Sequence, residues 1–285
     1  MSEIVLAFDG SIHGDWVGRY AIRLARASGT GLEVVHVDDG ALSPAALETR
    51  LAALRQVAAA SGVEVSLRQL PGSKAGVARV LDAAVPAGAG RIIVSGLRAR
   101  KSRRGLLHGT VSERLLRFTD HNVLAIRVVS PSLLGHARHL LFSVSQNPRS
   151  ASRATPFLRL FAPELTRLSL LTVMSPRLGQ LSRPTAQDLR SLRARGADLL
   201  HRVEAELRGV LAPFEIPVDP HVALSADWPS EITRHAARAR AELTLMGSTE
   251  RTLTSRFVFG NPLERVLRDA VSDVAIFRRS RDAAR

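Results

Sequence analysis

The sequence predicts an α/β protein made of two tandem domains, each a parallel sheet of five strands between helices. Three observations predict it. The second part of the chain repeats the first at an offset of about 151 residues. Short apolar runs alternate with helical patterns along each copy, the order that builds parallel sheets covered on both faces. A glycine-bearing segment follows the fourth apolar run of each copy, where open parallel sheets place their ligands.

In the first copy, Ile4 to Phe8 reads as a buried strand and residues 14–28, with Trp16, Tyr20, Ile22 and Leu24, as a helix. Leu32 to Val37 is the second strand. Residues 43–61 form a helix with Ser43 as N-cap and Pro44 at the first helical position. Val63 to Leu67 is the third strand, 74–86 a helix, Ile92 to Ser95 the fourth strand, 110–118 a helix and Val123 to Val128 the fifth strand. The second copy places strands near 139–144, 167–173, 216–223, 243–246 and 273–277, and helices near 151–161, 186–212, 229–239 and 261–269. The domains are therefore 1–130 and 139–285, with Pro131 to Arg138 as linker and a loop, SPRLGQLSRPT, lengthening the second copy.

The repeat is specific because glycine and apolar spacings agree together. Residues 91–128 align without a gap on 242–279. Gly96 falls on Gly247, Gly109 on Gly260, Glu113-Arg114 on Glu264-Arg265, and Val123 on Val274.

Composition narrows the chemistry. The chain has no cysteine, which excludes disulfides, zinc–thiolate sites and thiol nucleophiles. The segment MSEIVLAFDG lacks the basic start and long apolar run of a signal peptide, and no apolar run is long enough to span a membrane, so a cytoplasmic location is expected. The net charge is +14, carried almost wholly by Arg, since the only lysines are Lys74 and Lys101. Such a chain attracts anions. Aromatics make up 4% and none interleaves with the basic run Arg98 to Arg104, which argues against a stacking platform for single-stranded nucleic acid without excluding nucleic acid.

The chemistry sits after the fourth strand of the first copy. Gly96-Leu-Arg98-Ala99 is followed, nine residues on, by Gly109-Thr110 at the start of a helix. A Gly-Thr pair there offers backbone N–H groups and a hydroxyl at the positive end of the helix dipole, a place for phosphate. Arg98 opens the basic run and can add charge-assisted hydrogen bonds. Asp9, in FDGS after the first strand, belongs to the same sheet edge and can accept from adenine or ribose.

The segment resembles the G-x2-G-x9-G-(S/T) nucleotide motif of the universal stress protein family, as do FDGS and the pair His36-Val37 at the end of strand two. The resemblance covers nearly the whole chain in two copies. It implies a Rossmann-like fold with an ATP site, ATP coming with or without Mg2+. By matching position, Asp9 meets the adenine side, Val37 the base through its backbone, Gly96 and Ala99 the ribose and phosphates, and Gly109 and Thr110 the phosphate oxygens. It also implies that the last strands of the two domains, Val123 to Val128 and Val274 to Arg278, pair edge to edge, and that the whole chain forms a homodimer. Ala99 departs from the family glycine, and a methyl group there is strained if φ is positive.

The second copy departs further. Glu250 repels phosphate, Pro262 has no N–H to give, and HLLFSVSQ lacks the aspartate. This reads as a degenerate site whose role is pairing or regulation. No triad partners Ser11 or Thr110, the nine histidines show no metal-ligand spacing, and no dedicated general base appears, so slow hydrolysis stays open. Two readings of function remain: a stress-response protein binding ATP or a related adenine nucleotide in its N-terminal domain, and a non-nucleotide module that recruits an anionic partner through its basic surface. An ATP-dependent ligase is a remote third.

Overall fold

The protein was analysed as a computed structural model that describes residues 3–86, 88, 90–97, 110–118, 120–147, 149–176, 185–248 and 261–280. The first half runs β1 (Glu3–Ala7), α1 (Ile12–Ser28), β2 (Leu32–Asp38), α2 (Pro44–Ala60), β3 (Val65–Pro71), α3 (Val77–Ala84), β4 (Arg91–Gly96), α4 (Val111–Phe118) and β5 (Asn122–Arg127). The second runs β6 (His139–Ser143), α5 (Ser150–Phe161), β7 (Arg167–Met174), α6 (Ala186–Leu211), β8 (Val218–Leu224), α7 (Trp228–Ala239), β9 (Leu243–Gly247), α8 (Pro262–Asp269) and β10 (Asp273–Arg278).

Local chemistry sets these limits. Ser11 caps α1 by accepting from the Gly14 N–H at 3.0 Å, and Gly29 ends the helix in the left-handed conformation at φ 64°. Ser43 caps α2 with Pro44 inside the first turn, and Leu47, Leu51, Leu54 and Ala58 form its buried stripe. Thr185 and Asp188 close a capping box on α6. In α5, Pro156 cannot donate to the Ser152 carbonyl one turn back, and that carbonyl accepts from Arg279 Nη1 at 2.8 Å instead.

The strands form one ten-stranded sheet in the order β3-β2-β1-β4-β5-β10-β9-β6-β7-β8. All neighbours are parallel except β5 and β10, which pair antiparallel with Ala125 opposite Ile276. The order is symmetric about that pair. Alternation along the strands sends Ile4, Leu6, Leu140 and Phe142 to the face covered by α1, α2, α5 and α6. Val5, Ile93, Leu141 and Ile276 go to the face covered by α3, α4, α7 and α8.

The expected strands and helices are present, with one visible slip. The third strand, read as Val63 to Leu67, lies at Val65–Pro71. It is the sheet edge, where half-buried residues are interleaved with the exposed Ser66, Gln69 and Pro71, so its apolar signal is blurred, whereas Val63 is buried just before it.

Polar groups lock the centre. Asp273, at the start of β10, accepts from the Val129 and Ser130 N–H groups at 2.7 and 2.8 Å, and from the Tyr20 hydroxyl at 2.6 Å. Asn122, its twin at the start of β5, accepts from the Ser280 N–H at 3.0 Å and donates to the Arg91 carbonyl at 3.1 Å. Each half thus holds the chain leaving the other half's last strand. Burial pushes the Asp273 carboxyl above the usual range against the pull of these donors, and pushes the Tyr20 hydroxyl up as well. Among the described residues, no helix is long and apolar enough to cross a membrane.

Candidate functional site

The chain passes from β1 outward through β2 and β3, then returns to lay β4 on the other side of β1. Connections on the two sides of that point diverge and leave a crevice at the carboxyl ends of the strands. A cleft of about 300 Å³ opens there, in the size range of small-molecule sites. Its walls are Val37 from β2, Val77 and Leu81 from α3, and Thr110 to Ser112 at the start of α4, and its rim carries Asp9 and Asp39.

The structure brings Asp9, Val37, Gly96 and Thr110 together on this cleft. Arg98, Ala99 and Gly109 lie outside the described residues, as do His108 and the rest of the basic run. The Asp9 carboxylate accepts from the Ser11 N–H at 3.0 Å and from its hydroxyl at 2.6 Å, which fixes the turn into α1. Gly10 makes that turn possible: it sits at φ +68°, and a Cβ there would meet Leu42 at 2.3 Å. Val37 is nearly fully buried. His36 also lines the cleft, buried, and its Nδ1 donates to the Phe8 carbonyl at 2.9 Å, which holds the β1 end.

Two of these residues also serve the fold. Gly96 has no positive φ, and a Cβ there would make ordinary contact with Val17 at 3.4 Å, so its backbone needs no special conformation. Its carbonyl is held by the Ser112 hydroxyl at 2.6 Å. The Thr110 hydroxyl accepts from the Glu113 N–H at 3.1 Å, the hydrogen bond of a helix N-cap. Glu113 itself pairs with Arg117 at 3.1 Å, one turn on, and has a structural place.

Sequence reasoning missed Ser95 and Ser112, which line the cleft beside Gly96. Neither stands in a motif of its own. Their twins in the second half are Met246 and Leu263, both buried in the core. There the helix start is capped by Asn261, whose Oδ1 accepts from the Leu263 N–H at 2.9 Å, ahead of Pro262. The place of Asp9 is taken by Ser145, whose hydroxyl accepts weakly from the Asn147 N–H at 3.4 Å. Glu250 and Gly260 lie outside the described residues.

A second asymmetry concerns the paired arginines Arg114 and Arg265. Arg265 Nη2 donates to Asp227 at 2.9 Å and to the Ser230 hydroxyl at 3.1 Å. Hydrogen bonds from Ser230 and Arg265 hold the Asp227 carboxyl below its usual range. Where the second half has Asp227, the first has Gly76 at φ +88°, and a Cβ there would stand 3.0 Å from Arg114 Nη1. The arginine of the first half therefore lies over a bare glycine beside the cleft wall at Val77.

Residues 137–278 match the model of the universal stress protein family. The chain belongs to that family. Solved structures share its fold over nearly the whole chain. One is a universal stress protein from Archaeoglobus fulgidus, 17% identical, covering 99% of this chain and 98% of its own, at TM-score 0.62. Another is a putative universal stress protein from Pseudomonas aeruginosa, 18% identical, covering 99% of this chain and 95% of its own, at TM-score 0.61. The cytoplasmic domain of a prokaryotic cation chloride cotransporter is 14% identical over 98% and 95%, at TM-score 0.59. At these identities the likeness is one of fold. No curated protein matches the sequence.

Proposed function

We propose that this universal stress protein binds one adenine nucleotide, ATP, in the cleft of its first half, and that the second half serves pairing and regulation. Residues 1–130 are then the site-bearing domain and 139–285 the degenerate one, joined by 131–138, in a cytoplasmic stress response. The observation that carries the reading is the cleft at the switch point between β1 and β4; among the described residues, the twin position between β6 and β9 carries the buried Met246 and Leu263 where the cleft has Ser95 and Ser112. Apolar walls at Val37, Val77 and Leu81 suit the faces of a flat ring. Asp9 at the rim suits a ribose or amino group, and the start of α4 suits a phosphate. A homodimer of the whole chain belongs to the same proposal.

Calorimetric titration with ATP, with and without Mg2+, tests it against an Ala7→Met variant that fills the cleft from the sheet. One site per chain, lost in the variant, supports the reading. Two sites would mean that the second half binds too. No site in ligand-free protein would leave the alternative, recruitment of an anionic partner through a surface of net charge +14.

A further inference from the structure

The strand register joins the two halves in one lateral row. Val35 stands beside Ala7, Ala7 beside Ser95, and Ser95 beside Ala125. Ala125 stands opposite Ile276, which continues to Met246, Ser143 and Leu171. The row therefore reads Val, Ala, Ser, Ala up to the symmetry axis and Ile, Met, Ser, Leu beyond it. Both stretches face the layer of α3, α4, α7 and α8. In the first half, small side chains flank Ser95 and leave the space of the cleft above it. In the second, Met246 and Ile276 occupy the same positions and are fully packed.

Ser95 is 2% exposed, and its hydroxyl has no hydrogen-bond partner among the described residues. It lines the cleft. Burying a hydroxyl without a partner destabilises the fold, and its twin position, the buried Met246, shows that the fold accepts an apolar side chain there. Strand packing alone therefore gives no reason for a hydroxyl at 95. Ser112, also on the cleft, is by contrast committed to the Gly96 carbonyl.

We infer that the Ser95 hydroxyl is a ligand-binding group on the cleft floor, which hydrogen-bonds the polar edge of the nucleotide's base or sugar and selects for ligands that offer one. The inference rests on the nucleotide reading above and adds to it a residue and a selection rule. A site built to hydrogen-bond its ligand discriminates against analogues lacking that group, because the buried hydroxyl is then left unpaired. A buried serine with no partner among the described residues also favours the ligand-bound state, since binding removes the cost of burial.

Titration with ATP and thermal unfolding of the ligand-free protein, each on the wild type, Ser95→Ala and Ser95→Met, test this. Ser95→Ala is expected to weaken ATP binding about tenfold, or about 1.4 kcal/mol, while the ligand-free protein melts at the same temperature or higher. Ser95→Met, which copies the second half, is expected to abolish binding and leave the protein folded. Equal ATP affinity in wild type and Ser95→Ala overturns the role of Ser95 and leaves the nucleotide reading standing. A drop in ligand-free melting temperature on Ser95→Ala also overturns it, since the hydroxyl would then serve the fold. Absence of ATP binding in the wild type overturns the nucleotide reading and this inference with it.

Discussion

The Tyr20 hydroxyl donates to the Asp273 carboxylate at 2.6 Å across 253 positions of sequence, and both residues are buried. The bond ties α1 of the first half to the first residue of β10, the strand on which the halves join. Removing the donor leaves a buried carboxylate oxygen short of a partner. Tyr20→Phe is expected to cost about 1–3 kcal/mol in denaturant unfolding, with both halves losing structure in one transition.

The pH dependence of Asp273 has a definite sign. Burial raises its carboxyl above the ordinary 3.8, so the folded state holds the proton more tightly than the unfolded chain. Its contribution to stability is full below pH 3.8 and is lost as pH rises through the folded value. Asp273→Asn keeps an oxygen for the Val129 and Ser130 N–H groups, as Asn122 does for Ser280. The variant is therefore expected to match or exceed the wild type at pH 7, with the difference closing as pH falls toward 3.8. Chemical denaturation at the two pH values reads this directly.

Met246→Ala in the second half is expected to cost about 2–5 kcal/mol, the range for emptying a packed core position. Met246 is buried between Ser143 and Ile276 on the sheet and under α8. Unfolding by urea checks it, with the midpoint falling and the slope unchanged.

Pro156 and Arg279 are coupled through the Ser152 carbonyl. Pro156→Ala restores an N–H that can donate to this carbonyl within α5. It is expected to stabilise the protein and to shrink the penalty of Arg279→Ala, which alone costs about 0.5–1.5 kcal/mol. A double-mutant cycle on melting temperature would find the two effects independent if the carbonyl is not their meeting point.

Gly135, in the segment between the halves, sits at φ +80° with its α-carbon facing the Tyr20 and Arg19 backbone, where a Cβ would come within 2.8 Å of the Tyr20 nitrogen. Gly135→Ala combines backbone strain with a clash against main chain that cannot rotate away. A loss of about 1–3 kcal/mol is expected, measured by thermal unfolding.

Much of this architecture is legible in the sequence, for reasons particular residues show. Gly96 and Gly247 carry the repeat, and the alternating apolar runs place each strand because a buried parallel strand is apolar on both faces. Ser43 and Pro44 mark a helix start unaided. The cleft is half legible. Asp9, Val37, Gly96 and Thr110 stand at motif spacing, but Ser95 is one serine at the end of a strand, and its meaning depends on neighbours 88 and 30 positions away at Ala7 and Ala125 that only strand register supplies. Tyr20 and Asp273 each read as ordinary residues of their own elements, since nothing local tells a tyrosine that its partner lies in the other half. Arg265 likewise shows its commitment only beside Asp227.

The lateral row through Ala125 and Ile276 has a consequence for how the molecule tolerates change. A buried hydroxyl at Ser95 with no partner among the described residues is a cost to the half that carries it. The tightly filled half is welded to it through β5 and β10 and acts as ballast. Substitutions that tune the cleft at Ala7, Ser95 or Ala125 draw on a reserve held elsewhere in the same sheet. Such a molecule can vary the lining of its cleft while its keel stays fixed.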